Sequence, residues 1–152
     1  MTERGGQQVV LFDVDGTLAD IEHRRGFVTG GNRDWGRFND AMGDDTPNKP
    51  VVDLYRTLWR SGDYRLILVT GRNERYRKLT GQWLTWNDIP FDRMLMRRDD
   101  DHRADHLVKR DILQQLQQEG LNIAFAVDDR QQVVDMWRAH GVTCLQCDVG
   151  DF

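Results

Sequence analysis

Two aspartates one residue apart, Asp13 and Asp15, follow the apolar run Val9-Val10-Leu11-Phe12 and lead into Gly16-Thr17-Leu18. A short apolar run bounded by turn residues reads as a buried strand of a parallel sheet, which puts both carboxylates at its carboxyl end. Open α/β sheets place their chemistry at that edge. If one turn holds both beside a Mg²⁺ ion, Asp13 can attack phosphorus as a nucleophile while Asp15 handles the proton of the leaving group. Gly16 permits the tight turn, and Thr17 can cap the next segment or hydrogen-bond to the site. Aspartate and glycine also make plain turns, so the weight falls on what else the chain brings to this edge.

Three further groups have suitable chemistry: Thr70-Gly71-Arg72, Lys109 and Asp128-Asp129. Carboxylates gathered from separate loops repel one another unless a cation sits among them, and a hard oxygen set of this kind suits Mg²⁺. The Thr70 hydroxyl and neighbouring backbone N–H groups can hold a phosphoryl oxygen. Lys109 and Arg72 can neutralise the charge on a transferring phosphoryl group. Taken singly, each group has a plainer use, as a strand-ending turn, a solvated charge or a helix cap.

The elements that must position them alternate. After the first strand, residues 20–49 lack a long periodic pattern and are rich in glycine. Asp34 ahead of Trp35, Phe38 and Met42 predicts one short capped amphipathic helix there, within a small lid. Helical spacing then predicts a helix from Pro50 to Ser61, and Arg65 to Thr70 a second buried strand. A helix over Glu74 to Trp86, a strand at Met94 to Met96 and a helix over Asp105 to Gln118 follow. Strand Ile123 to Val127, helix Gln131 to His140 and strand Val142 to Cys147 complete the series. The expected fold is therefore α/β, a Rossmann-like three-layer sandwich with a five-stranded parallel sheet. With strand order 3-2-1-4-5, the first and fourth strands are neighbours at the switch point, and Asp128-Asp129 meets Asp13 and Asp15 there.

Composition narrows the class. A chain of 152 residues is the size of one domain, and five tryptophans stand against 30% charged residues. A net charge of −4 argues against a generally basic nucleic-acid binder. No apolar run reaches the length of a membrane span, and the start Met1-Thr2-Glu3-Arg4 does not read as a signal peptide, so a soluble cytoplasmic protein is expected. Cys144 and Cys147 have C-x-x-C spacing but fall in a predicted strand, where residues three apart face opposite ways; two reduced thiols are expected.

In order, Asp13-Val14-Asp15-Gly16-Thr17, Thr70, Lys109 and Asp128-Asp129 resemble the four motifs of the haloacid dehalogenase superfamily of phosphohydrolases. The resemblance implies that Asp13 forms an aspartyl-phosphate and Asp15 is the general acid and base. It also implies that Asp13, Asp15 through its carbonyl, and Asp128 bind Mg²⁺, with Asp129 supporting the metal site. Within that superfamily the chain is similar to the 3'-phosphatase domains of bacteriophage polynucleotide kinases. The likeness lies in Phe12 to Ala19, Thr70-Gly71-Arg72, Met96-Arg97, the Asp105 to Lys109 run, the Asp128 to Arg138 stretch and Gly150-Asp151-Phe152. It adds Arg24, Arg25, Gly71, Arg72 and Asp105 as candidate substrate-binding residues.

No G-x-x-x-x-G-K-[ST] loop is present, so ATP-dependent phosphorylation is not expected, and a kinase or ligase would be a separate partner. Residues 21–46 match poorly and form the lid that selects the substrate. A lid this small leaves the crevice open enough for a nucleic-acid end, and its arginines Arg24, Arg25, Arg33 and Arg37 suit a phosphate backbone. Trp35 and Phe38 are expected to pack the lid helix onto the body rather than to stack a base. The expected activity is a Mg²⁺-dependent phosphomonoesterase acting on the 3'-phosphate of nucleic acid ends or nucleotides. The alternatives are a small-molecule or 5'-nucleotide phosphatase and, from another class, a phosphoacceptor receiver domain.

Overall fold

The computed structural model describes residues 7–150, so Met1-Thr2-Glu3-Arg4 and the terminal Asp151-Phe152 lie outside the described residues. In chain order, β1 (Gln8–Phe12) leads into a lid made of β2 (Ala19–Asp20), α1 (Glu22–Arg25), α2 (Trp35–Asp40), a 3-10 turn at Met42–Asp44 and β3 (Thr46–Pro47). The body continues with α3 (Lys49–Ser61), β4 (Tyr64–Asn73), a 3-10 turn at Glu74–Tyr76, α4 (Arg77–Trp86) and β5 (Arg93–Arg97). It closes with α5 (Asp105–Gln118), β6 (Ile123–Arg130), α6 (Gln131–Ala139) and β7 (Cys144–Gly150).

The main sheet runs β5-β4-β1-β6-β7 with every pairing parallel, which is the expected 3-2-1-4-5 order. Alternation along β1 serves both faces. Val10 and Phe12 join Tyr55, Leu66, Leu68 and Trp83 in the core beneath α3 and α4. Val9 and Leu11 join Val69, Ile112, Leu116 and Trp137 beneath α5 and α6. Each such fully buried large side chain contributes about 1.5–3 kcal/mol of transfer free energy, and the two cores hold β1 and β6 rigidly side by side. Among the described residues no helix is long and apolar enough to cross a membrane.

Several boundaries differ from expectation for local reasons. The helix after β4 begins as a 3-10 turn, where the Arg75 N–H donates to Asp99 Oδ1 at 3.1 Å. The last strand starts at Cys144 rather than Val142, since the Val142 N–H closes the end of α6 on the Trp137 carbonyl at 3.0 Å. The lid helix is capped as expected, Asp34 accepting from the Arg37 N–H at 3.1 Å, but it stops at Asp40 and Met42 falls in the following 3-10 turn. The lid also holds a pairing that no pattern announced: β2 and β3 run antiparallel, Asp20 opposite Thr46, closing the insertion at its base. Phe38 is buried as expected, whereas Trp35 is 41% exposed: its ring and that of Phe38 meet edge to face at 5.4 Å, and from the body the Arg130 guanidinium stands 6.0 Å from its centre. Cys144 and Cys147 pack into opposite cores, are unpaired with each other, and burial pushes their thiols up to about 11 and about 12.

Candidate active site

Every candidate in the body meets at the carboxyl edge of β1, β4 and β6. The Asp13 N–H continues the parallel ladder by donating to the Val127 carbonyl at 3.1 Å, which fixes the nucleophile candidate at the seam between β1 and β6. Residues 13–19 then fold back on themselves, the Ala19 N–H donating to Val14 and the Gly16 N–H to Ala19, each at 2.9 Å. Gly16 has φ +78°, and a Cβ there would lie 2.1 Å from Asp129 Oδ2. Only glycine lets this loop turn against the second acidic pair.

Lys109 lies on the inward face of α5 with Ile112, Leu113 and Leu116, the 3-4 spacing that buries a helix stripe. Its side chain is 1% exposed, and its ammonium donates to Asp13 Oδ1 and to Asp128 Oδ2, both at 2.9 Å. Asp105, one turn earlier, stands 3.7 Å from the same ammonium, 3.7 Å from Arg130 and 3.5 Å from Arg97. Gly71 makes room for it, since a Cβ there would lie 2.0 Å from Asp105 Oδ1. Asp13 Oδ2 accepts from the Thr17 hydroxyl at 3.1 Å. Asp128 accepts from the Trp137 indole at 3.3 Å and from the Asp129 N–H at 2.9 Å.

Three carboxylates, Asp13, Asp128 and Asp129, present oxygens all within 4.8 Å of one another. One ammonium faces them, and the buried Asp129 Oδ2 has no hydrogen-bond partner. Burial, then the neighbouring Asp128, raises Asp129 to about 7; the same causes raise Asp13 well above the ordinary carboxylate range against the pull of Lys109. Burial opposes the charge of Lys109, but Asp128 and Asp13 outweigh it and hold its proton more tightly than usual. Excess negative charge on hard oxygen ligands, one of them orphaned, fits a small divalent cation such as Mg²⁺. Ligand oxygens around Mg²⁺ at about 2.1 Å lie at most about 4 Å apart, so the trio closes on an ion with a small shift.

Asp15 takes a different place. Its carboxylate is turned away from the trio toward the lid and receives Arg72 Nη2 at 2.7 Å, Arg72 Nε at 3.1 Å and Arg24 Nη2. Burial disfavours its charge, but Arg72 and Arg24 overcome that and hold it far below the usual carboxylate range. Its side chain is thus not a ligand of the acidic trio, which leaves only its carbonyl for the metal role that the sequence assigned it. Arg24 is fully buried behind Asp15, also bonded to Asp45 and to the Phe38 carbonyl, and so clamps a carboxylate rather than lining the cleft. Arg25 pairs with Glu22 at 2.7 Å and stands 4.0 Å from Asp129 Oδ2. The Thr70 hydroxyl is buried and accepts from the Arg72 N–H at 3.1 Å.

Sequence reasoning missed Asp45. Its carboxylate accepts from Arg24 at 2.7–2.8 Å, from Arg72 at 3.1 Å, and pairs with His23 at 2.7 Å, so one lid residue ties down both arginines of Asp15. In the sequence it is the second of two aspartates in a turn-rich stretch, indistinguishable from a solvated loop charge. Only the β2–β3 pairing carries it beside α1.

A family model described as the polynucleotide kinase PNKP phosphatase domain matches residues 7–152. A protein of Autographa californica nuclear polyhedrosis virus, assigned as a bifunctional polynucleotide kinase/RNA ligase, is 26% identical over 86% of this chain and 18% of its own length. Among solved structures, a chain of a Pnkp1/Rnl/Hen1 complex superposes with a TM-score of 0.81 at 32% identity, over 95% of this chain and 47% of that one. A haloacid dehalogenase-like hydrolase from Streptococcus pneumoniae shares the fold, with a TM-score of 0.61 at 19% identity over 92% of this chain and 84% of that one. This chain thus spans under a fifth of the viral relative and about half of the Pnkp1-complex chain. With these likenesses extending over the whole described body and its acidic cleft, the chain belongs to the haloacid dehalogenase phosphatases, in the family of the polynucleotide kinase PNKP phosphatase domain.

Proposed function

We propose that the protein removes the 3'-phosphate from nucleic acid ends through an aspartyl-phosphate, with Mg²⁺ as cofactor. The observation that carries this reading is the buried Asp13, which shares the Lys109 ammonium with Asp128 at the floor of an open cleft of about 470 Å³. Asp13, Asp128 and Asp129 would hold the ion, which when bound supplies charge neutralisation to the phosphoryl oxygens. An Asp13 carboxylate oxygen attacks phosphorus in line, the P–O bond to the 3'-oxygen breaks, and that oxygen takes a proton from Asp15. Water then attacks the aspartyl-phosphate, Asp15 accepts the water proton, and Asp13 is regenerated as inorganic phosphate leaves.

Asp15 begins as a carboxylate, the form needed in the second half. To donate in the first half it must first take up a proton from solvent, which needs the arginine hold to slacken, and a phosphate dianion arriving beside Arg72 draws that guanidinium onto itself. Lys109 pulls Asp13 toward its ionised form against burial and Asp128, and orients it, while offering its charge to an equatorial phosphoryl oxygen. The kinase and ligase names among the relatives support the further reading that phosphorylation and sealing of the healed end belong to other domains or to a partner protein.

The test is phosphate release from matched oligonucleotides bearing a 3'- or a 5'-phosphate and from free 3'- and 5'-nucleotides, with Mg²⁺ and with EDTA, using Asp13→Asn as the blank. Mg²⁺-dependent release from the 3'-phosphate substrates alone is the expected result. Equal or greater release from 5'-phosphates refutes the 3'-end assignment.

A further inference from the structure

Among the described residues, Trp35 is the one large apolar side chain at the cleft that the fold leaves open, and it is not loosely held. Phe38 meets its ring edge-on at 5.4 Å and 86°. Phe38 itself is buried, with the Arg24 guanidinium 4.3 Å over its ring, and Arg24 is bonded to Asp15. The Trp35 ring is thus tied through three successive contacts, by way of Phe38 and Arg24, to the proton-transfer candidate. Across from it the Arg130 guanidinium stands 6.0 Å from the Trp35 ring centre, on the residue that follows Asp129. A planar base needs about 3.5 Å on each side, so it fits between them when that gap opens by about 1 Å.

Arg33, two residues before Trp35, lines the same cleft. The other cleft arginines are engaged: Arg72 with Asp15, Arg97 with the Gly71 carbonyl, Arg103 with Asp101 and Asp111, and Arg130 near Asp105. Arg33 is exposed and makes no hydrogen bond or ion pair with any described residue. An uncommitted guanidinium beside an open indole is the pairing that reads a nucleotide, the ring by stacking and the cation by its phosphate. The cleft volume of about 470 Å³ is larger than a phosphoryl group alone requires.

We infer that Arg33 and Trp35 form a terminal-nucleotide subsite: the base of the last nucleotide stacks on Trp35, and the phosphodiester on its 5' side pairs with Arg33. The assignment rests on the 3'-end reading above and adds to it which part of the polymer each lid residue recognises. It makes the lid selective for a chain end over a free nucleotide, since a free 3'-nucleotide has no phosphodiester for Arg33.

Three substrates separate the two contacts: a 3'-phosphorylated oligonucleotide, the same strand with an abasic last residue, and a free 3'-mononucleotide. Trp35→Ala should lower kcat/KM on the first and third by about 5- to 150-fold, the range that loss of one base–aromatic stack implies, and leave the abasic strand unchanged; Trp35→Phe should recover most of the loss. Arg33→Ala should lower kcat/KM on the two strands and not on the mononucleotide, and should reduce the slope of log kcat/KM against log salt by about 0.7. Unchanged melting temperatures of these surface variants exclude misfolding as the cause. Wild-type protein that prefers 3'-phosphorylated strands but loses nothing on either substitution overturns the subsite alone. Wild-type protein with no preference for 3'-phosphorylated strands overturns the 3'-end reading and the subsite with it.

Discussion

Asp129→Asn replaces one charge in the acidic trio without changing its shape, and the structure predicts that the metal-free protein becomes more stable. The Asp129 carboxyl is raised from 3.8 to about 7 by burial and by Asp128. At about 1.36 kcal/mol per tenfold change in proton affinity, keeping it ionised at pH 8 costs the folded state about 4 kcal/mol. For a group raised in this way, the stabilising contribution is fully present below pH 3.8 and is lost as the pH rises through about 7. The neutral amide removes that cost and gives back part of the gain, because its NH₂ must find a partner where Asp129 Oδ2 has none. A net gain of about 2 kcal/mol raises the melting temperature of a chain this size by about 4–8 °C. Thermal melts in EDTA and in excess Mg²⁺, at pH 8 and at pH 5.5, measure this directly. Wild-type protein should gain more from Mg²⁺ at pH 8 than at pH 5.5, because protons compete for the same oxygens, and Asp129→Asn should gain little at either pH. A variant that melts below wild type in EDTA at pH 8, or that responds to Mg²⁺ as wild type does, refutes the reasoning that Asp129 is an incompletely compensated charge that a cation completes.

Lys109→Met strands Asp13 and Asp128 without the ammonium 2.9 Å from each; breaking a buried pair on one side costs about 3–5 kcal/mol, which a urea titration in EDTA should show, together with loss of phosphate release. Gly16→Ala combines a positive φ with a Cβ 2.1 Å from Asp129 Oδ2 and should abolish activity, while Gly26→Ala, with nothing within 4 Å of the added Cβ, should leave phosphate release unaltered. Asp45→Ala leaves Asp15 as the one carboxylate facing two buried guanidiniums; it should destabilise by about 3 kcal/mol and lower kcat, and a thermal melt beside a steady-state assay checks both. Asp13→Asn should eliminate the phosphoprotein trapped by rapid acid quench while the melting temperature stays within a few degrees of wild type.

The alternation of strands and helices, the parallel order and the meeting of Asp13 with Asp128-Asp129 were legible in the sequence because they follow from period and topology. Apolar runs of strand length ended in acidic turns, and right-handed crossovers bring the first and fourth strands together whatever the side chains at their tips. Lys109 was legible by order of motifs, and the helical spacing of Ile112, Leu113 and Leu116 explains why it points inward. What tertiary structure decided lies in the lid and at Asp15. The lid is a set of short aperiodic pieces whose contacts depend on a two-residue strand pairing, so nothing local marked Asp45 as the anchor of Arg24 and Arg72 or left Trp35 open while burying Phe38. Asp13 and Asp15 are nearly identical in sequence, two carboxylates in one turn. The fold sets one among carboxylates, where burial and repulsion raise its proton affinity, and the other between two guanidiniums, where attraction lowers it. Their division of labour is electrostatic, and electrostatics depends on neighbours that only the folded chain assembles.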